Sequence, residues 1–316
     1  MLRYDKILYL SHACAILKNK GVIYKLYPTY RKIDKEYNNA LIIRDLPFKK
    51  ARLLGRQKFK SNEAICYEFI EGDDRDSDLE LSIDNLILKE INGEDIDVNL
   101  YEKYVLYASS LHKDIFKNKV PKAFCYKKDL RRRIICNDQF SKESISKAVK
   151  VLNELPTGDT LLHGDFGISN IIIKQDEPYA IDFGSTCRGP KTYDIAKFVY
   201  KACFSNPLNE VNNFIKFSRK FEKNLIEPIW DQIVEVKKKQ RMLLVEAYLR
   251  QMNTSWEEIK DYLFILKYTY AGNQKTQSIK EFKKHLHKYY PVIDPSYFNN
   301  LENISGTSRW SADYNI

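Results

Sequence analysis

The chain has 316 residues, 44% hydrophobic and 30% charged, which excludes a disordered polypeptide and suits two adjacent domains of roughly 100–200 residues each. Lys and Arg outnumber Asp and Glu by 52 to 42, a net charge of +10, which favours anionic partners and disfavours a strongly cationic one. Six cysteines (Cys14, Cys66, Cys125, Cys136, Cys187, Cys203) include no C-x-x-C pair, so neither a zinc site nor a disulfide framework is expected.

The first twenty residues carry an apolar patch broken by Asp5, Lys6 and His12. It is too short for a membrane span and shows no cleavage site, so a cytoplasmic protein without a transmembrane segment is expected. Short apolar runs at Ile7–Leu10, Ala13–Leu17 and Val22–Tyr27 predict strands, with Asn19-Lys20-Gly21 turning the second into the third. A helix follows, with Ile33, Tyr37, Ala40 and Leu41 on one face and Lys35, Glu36 and Asn39 on the others. Leu53–Phe59 and Ala64–Ile70 form a further strand pair. These elements make a small α+β lobe over residues 1–72.

The acidic stretch Glu71–Asp78 reads as a connector. Beyond it the period becomes helical: Tyr101, Tyr104, Val105, Ala108, Leu111 and Ile115, then Ile145 to Leu155, stopped by Pro156. Two short strands, Ile171–Lys174 and Tyr179–Ile181, interrupt the helices, which resume from Asp194. The second lobe is expected over residues 73–298, and residues 299–316 read as a polar tail.

The stretch "LLHGDFGISNIII", Leu161 to Ile173, sets His163, Asp165 and Asn170 between two apolar runs. Twelve residues after Asn170, Asp182 ends another apolar run in "AIDFG". Two carboxylates and an amide brought together by one hairpin suit a hard divalent cation with oxygen ligands. Magnesium, which takes one or two carboxylates plus substrate phosphates, fits Asn170 and Asp182. Asp165 is left to accept a hydrogen bond from an attacking hydroxyl.

"HGDFGISN" followed by "IDFG" resembles the catalytic and metal-binding motifs of the protein kinase-like superfamily, in the aminoglycoside phosphotransferase and choline kinase branch. "RGPKTYDIAKF", Arg188 to Phe198, is similar to the G-x-P-x-x-D-L-A element of that branch, with one extra residue between Pro190 and Asp194. The resemblance implies a bilobal α+β fold, a small β-rich N-terminal lobe and a larger, mainly helical C-terminal lobe. It implies Asp165 as the catalytic residue, Asn170 and Asp182 as magnesium ligands, and His163 and Asp194 as structural support. In the small lobe it implies Lys25 on the nucleotide phosphates with Glu36 as its ion-pair partner, and Glu68 and Ile70 in the purine-binding hinge. The first hairpin, "LSHACAIL", lacks the glycines of a phosphate-covering loop, which leaves Ser11 among small residues that admit the phosphates.

The implied activity is magnesium-dependent transfer of the γ-phosphate of ATP, with GTP not excluded, to a hydroxyl of a small-molecule, sugar or glycolipid acceptor. The alternatives are a kinase of protein or RNA, for which Lys127, Lys128, Arg131, Arg132 and Arg133 supply a basic cluster, and a silent nucleotide-binding module. No A-P-E element follows the metal loop, which disfavours an ordinary protein kinase.

Overall fold

The computed structural model describes residues 5–10, 14–27, 30–59, 62–72, 79–94, 98–203 and 222–270. Ser11, connector residues 73–78 and the tail 299–316 lie outside the described residues. The chain divides into two compact units, one taking in Met1–Asp45 and Ala51–Ile70, the other Leu46–Lys50 and Glu71–Gly272.

The first unit is an antiparallel sheet of β1 (Lys6–Leu10), β2 (Ala15–Asn19), β3 (Val22–Leu26), β4 (Leu53–Phe59) and β5 (Asn62–Glu68), with one helix, α1 (Tyr30–Ile43). The strand order is β1-β2-β3-β5-β4, so β3 is central. Lys25 is therefore not an edge lysine, and cross-strand pairing sets it opposite Ile16 and Ile65. Leu26 lies opposite Ala15 and Ala64, on the other face. Helix α1 buries Ile33, Glu36, Asn39, Ala40 and Ile43. This corrects the sequence reading at three positions: Leu41 is 38% exposed, while Glu36 and Asn39 turn inward. An acid goes inside here because the sheet offers it a lysine and two tyrosine hydroxyls. The fifth strand also starts two residues earlier than expected and ends at Glu68 rather than Ile70.

The second unit contains α2 (Leu79–Ile91), α3 (Val98–Phe116), α4 (Tyr126–Ile135) and α5 (Lys142–Glu154), then β6 (Thr160–Leu162), β7 (Ile171–Lys174), β8 (Glu177–Ala180) and β9 (Cys187–Gly189). It closes with α6 (Lys191–Cys203), α7 (Lys223–Ile226), α8 (Trp230–Met252) and α9 (Trp256–Tyr270). Among the described residues, no helix is long and apolar enough to cross a membrane. The β7–β8 hairpin turns through Gln175 and Asp176, both with φ above +50°, which moves β8 two residues earlier than its apolar pattern suggests. The Asp176 carboxylate accepts hydrogen bonds from Lys103 Nζ (2.7 Å) and Tyr107 Oη (2.9 Å) of α3, which holds this unusual non-glycine turn in place. Strand β6 pairs with β9, Leu162 opposite Cys187, and so brings the chain after His163 beside the chain before Thr186.

Helix α6 packs on α8 and α9 and is buried from Tyr193 to Val199. Its Asp194 is sealed from solvent. One carboxylate oxygen accepts the backbone N–H of His163 (2.7 Å) and the other that of Gly164 (3.0 Å). His112 of α3 adds a third bond through Nε2 (3.1 Å), and its Nδ1 meets the Tyr248 hydroxyl of α8. Burial pushes the His112 pKa down, against the opposing pull of Asp194, and pushes that of Tyr248 well up. The chain of donors is then determined: Tyr248 donates to Nδ1 of a neutral His112, whose Nε2–H donates to Asp194. For Asp194 burial alone would raise the carboxyl, but the bond from His112 and the nearby Lys197 ammonium hold it below the usual range.

His112 and His163 are both buried and both lowered by that burial. Below the unfolded-state pKa of about 6.5 the unfolded chain binds protons that the folded chain does not, so stability falls on acidification. Urea titrations from pH 7 to pH 5 are expected to show a loss of up to about 1.4 kcal/mol per pH unit for each histidine. His112→Gln should remove about one proton from that slope; a slope unchanged by the substitution would rule out His112 as a buried neutral group.

Candidate active site

The loop between β6 and β7 carries His163 to Asn170, and α6 grips it by both kinds of peptide group. Asp194 takes the two N–H groups, Lys197 Nζ donates to the Gly164 carbonyl, and Lys201 Nζ reaches the Asp165 carbonyl at 3.4 Å. Positions 194, 197 and 201 recur at helical spacing, so one face of α6 presents all three. The extra residue between Pro190 and Asp194 is absorbed in the first turn of α6, where Tyr193 N–H donates to the Pro190 carbonyl (3.1 Å). Gly164 takes φ +77°, and a Cβ there would lie 1.9 Å from the Ser185 carbonyl oxygen. Only glycine lets this loop pass the Asp182–Ser185 backbone, which accounts for the glycine after His163.

His163 holds the loop from inside. Its Nε2 donates to the Ile181 carbonyl (2.9 Å) and its Nδ1 accepts the Asp165 N–H (3.3 Å), which defines the neutral Nε2–H tautomer. Its ring lies 4.6 Å from Phe183, and Phe166, on the other side, stacks on His112 at 4.0 Å. Both nitrogens are occupied by backbone, so this ring supports the loop.

The Asp165 carboxylate is 36% exposed and lies 3.1 Å from Lys201 Nζ and 3.4 Å from Lys197 Nζ. Its surroundings alone would raise the carboxyl, but Lys201 and then Lys197 outweigh them and hold it well below the usual carboxylate range. Neither lysine was singled out in the sequence. The D-x-x-K-x-x-x-K spacing in an otherwise apolar helix is the signal that could have found them, since a lysine among apolar neighbours is costly unless paired.

Asn170 ends a short 3₁₀ turn, Ile168–Asn170. Its Nδ2 donates to the Asp165 carbonyl (2.8 Å), and its own carbonyl accepts from Ile181 N–H (3.0 Å). The hairpin thus sets Asn170 opposite Ile181, one residue from Asp182. Asp182 occupies the left-handed region (φ 61°, ψ 71°), and its side chain accepts a long bond from Gly184 N–H (3.4 Å). A non-glycine residue in this region is uncommon and concentrates at functional sites. With Nδ2 committed to Asp165, Asn170 Oδ1 and the Asp182 carboxylate form a hard-oxygen pair. That donor set fits magnesium, which keeps waters and takes phosphate oxygens for its remaining ligands. No group of three or more His, Cys, Asp or Glu residues suited to a metal occurs among the described residues.

In the sheet unit, Lys25 is 6% exposed and its Nζ lies 3.1 Å from Glu36 Oε2. Glu36 also accepts from the hydroxyls of Tyr27 and Tyr67, the latter at 3.1 Å. Asp34, two residues before Glu36, pairs with Arg56 at 2.6 Å on the exposed side of α1. In the hinge segment, Glu68 N–H donates to the Arg52 carbonyl and Phe69 N–H to the Gly21 carbonyl, both at 2.9 Å. The Glu68 carboxylate pairs with Arg52 at 3.1 Å, and Ile70 is buried.

The basic cluster on α4 is engaged within the unit. Lys127 Nζ donates to the carbonyls of Asn153 and Leu155, Arg131 to Asn153 Oδ1, and Arg132 and Arg133 to Asp129. Lys127 and Arg131 thus tie α4 to the end of α5. All six cysteines are free thiols.

Residues 131–223 match the model of the phosphotransferase enzyme family, a span that holds Asp165, Asn170, Asp182 and Asp194. No curated protein matches the chain. Among solved structures, aminoglycoside phosphotransferase APH(3'')-Id from Streptomyces rimosus is similar at 11% identity and a TM-score of 0.50, over 83% of this chain and 92% of that one. The GDP and kanamycin complex of APH(2")-IIia aligns at 9% identity and 0.50, over 96% and 94%. Aminoglycoside-3'-phosphotransferase of type VIII aligns at 10% and 0.51, over 84% and 94%. At such identities the likeness concerns architecture: the chain has the bilobal α+β, protein kinase-like fold of these phosphotransferase structures.

Proposed function

We propose that the protein is a nucleotide-dependent phosphotransferase that moves the γ-phosphoryl group of ATP or GTP to a hydroxyl of a small-molecule acceptor. The observation that carries this reading is the loop gripped by α6, which presents Asp165 together with the hard-oxygen pair Asn170 and Asp182. The buried Lys25–Glu36 pair supports it from the sheet unit, because a lysine is buried at this cost where a fixed cation has work to do.

In the proposed reaction the acceptor oxygen forms a bond to the γ-phosphorus, the β–γ bridging P–O bond breaks, and the nucleoside diphosphate leaves. Asp165 accepts a hydrogen bond from the acceptor hydroxyl and aims its oxygen in line. Lys201 and Lys197 make that carboxylate a weak base, so its role is orientation, and the proton leaves late, onto the transferred phosphoryl group. Lys25, held by Glu36, positions the donor phosphates, and the Ile70 backbone with the Glu68 carbonyl meets the purine. Asn170 Oδ1 and Asp182 would hold magnesium, which when bound neutralises phosphate charge.

A macromolecular acceptor has less support from α4, since Lys127 and Arg131 hold α4 to the end of α5 while Arg132 and Arg133 pair with Asp129. Lys127→Ala is expected to lower the unfolding free energy by about 1 kcal/mol and to leave transfer rates within twofold; a large loss of transfer would reopen that reading. Asp165→Asn and Asp182→Asn should each reduce kcat by roughly two powers of ten or more. The check is a labelled-nucleotide transfer assay across sugars, sugar phosphates, aminoglycosides, protein and tRNA. Undiminished turnover in Asp165→Asn would remove the assignment of Asp165.

A further inference from the structure

Within the sheet unit, the buried Lys25–Glu36 pair is flanked by two tyrosines to which the reaction above assigns no part. Antiparallel pairing sets Tyr67 of β5 opposite Ile23, two residues before Lys25 on β3, and Tyr27 follows two residues after Lys25. Side chains alternate along a strand, so Lys25, Tyr27 and Tyr67 share the sheet face that meets Glu36 of α1. Their contacts divide the Glu36 carboxylate. Its Oε2 accepts from Lys25 Nζ at 3.1 Å and from the Tyr27 hydroxyl, and its Oε1 accepts from the Tyr67 hydroxyl at 3.1 Å. The Tyr27 ring also lies 5.5 Å from the Lys25 ammonium, within cation–π range.

We propose that Tyr27 and Tyr67 are positioning residues of the donor site: they fix the Glu36 carboxylate and through it aim the Lys25 ammonium at the donor phosphates. This rests on the phosphotransferase reading, in which Lys25 meets those phosphates, and adds the residues that set its direction.

Geometry decides the role. A carboxylate bonded at one oxygen can still turn about its terminal carbon–carbon bond, and a lysine ammonium swings on a flexible four-carbon stem. Hydroxyls on both oxygens, one from the end of β3 and one from β5, remove the first freedom, and the Tyr27 ring beside the ammonium restricts the second. Charge decides why the residues are tyrosines. A second cation here would compete with Lys25 for the acid, whereas a phenol donates a hydrogen bond and adds no charge. Glu36, only 2% exposed, thus keeps its negative charge for Lys25. Binding decides what the hydroxyls are for. As phosphates approach, the ammonium divides its N–H groups between them and Glu36, and the two hydroxyl bonds persist whichever way it turns. Drawing a cation away from a buried carboxylate is unfavourable, and these bonds reduce that penalty. They also pin α1 to the sheet, since moving Glu36 away would break both hydroxyl contacts as well as the ion pair.

The test is a double-mutant cycle on nucleotide binding by the full chain, followed calorimetrically with magnesium–ADP and magnesium–GDP. The Tyr27→Phe, Tyr67→Phe double variant is expected to weaken the tighter of the two by roughly tenfold or more, and Lys25→Met by at least as much. In the Lys25→Met background the tyrosine substitutions should weaken binding by less than about twofold further, because the group they aim is gone. Adenosine and guanosine, which carry no phosphate, should bind every variant within about twofold of the parent by ligand-observed NMR. Phenylalanine keeps the ring and its packing, and thermal unfolding checks each variant. Should the double variant not fold, the single ones carry the cycle, each with a loss of about threefold or more. No loss on removing the hydroxyls, diphosphate and nucleoside weakened alike, or the same loss with and without Lys25 overturns the positioning role and leaves the phosphotransferase reading standing. Diphosphate binding that Lys25→Met does not change overturns the role together with the placement of Lys25 on the phosphates. A chain that binds neither diphosphate overturns the role and the phosphotransferase reading with it.

Discussion

The helical unit is organised around one buried carboxylate. Asp194 is removed from water, and an ionised group there is tolerated only when its oxygens are fully engaged. Two consecutive loop amides, His112 and the adjoining Lys197 meet that demand. The requirement runs in both directions: the loop is held because the carboxylate needs its N–H groups, and the carboxylate stays ionised because the loop supplies them. Through His112 and Tyr248 the same group links α3, α6 and α8, so core packing and loop geometry are a single problem.

Around this anchor each loop residue has a limited choice. Gly164 has neither the backbone conformation nor the space for a side chain. His163 has both nitrogens bound to backbone. Asn170 uses its amide nitrogen on Asp165, so its oxygen is the remaining donor for a ligand. The result is a preorganised set of oxygens, which is what transfer of a charged group asks of a protein, since little covalent work is required of it.

Electrostatics separates the two faces of the loop. On one are the side-chain oxygens of Asp165, Asn170 and Asp182. On the other, Lys197 and Lys201 lower the affinity of Asp165 for a proton. A net charge of +10 distributed over a surface says little by itself, and on α4 two of the cations tie the helix to the end of α5 while two others pair with Asp129.

Sequence pattern alone determined the β-then-helical division, the hairpin through Lys20 and Gly21, and the spacing of Asp165, Asn170 and Asp182. Those features are local, or are set by a motif whose backbone course leaves little freedom. Other features came only from the tertiary structure. The inward turn of Glu36 and Asn39, against Leu41, depended on which partners the sheet offered, and periodicity counts only apolar residues. Helix α2 was hidden because its apolar residues follow no clean period. The three-residue pairing of β6 with β9 is too short to read from any window. Lys197, Lys201, His112 and Tyr248 took on their roles through contacts between 30 and 140 residues apart in the chain. A polar residue's place in a fold depends on the partner it finds, and that partner is named by packing, not by sequence position.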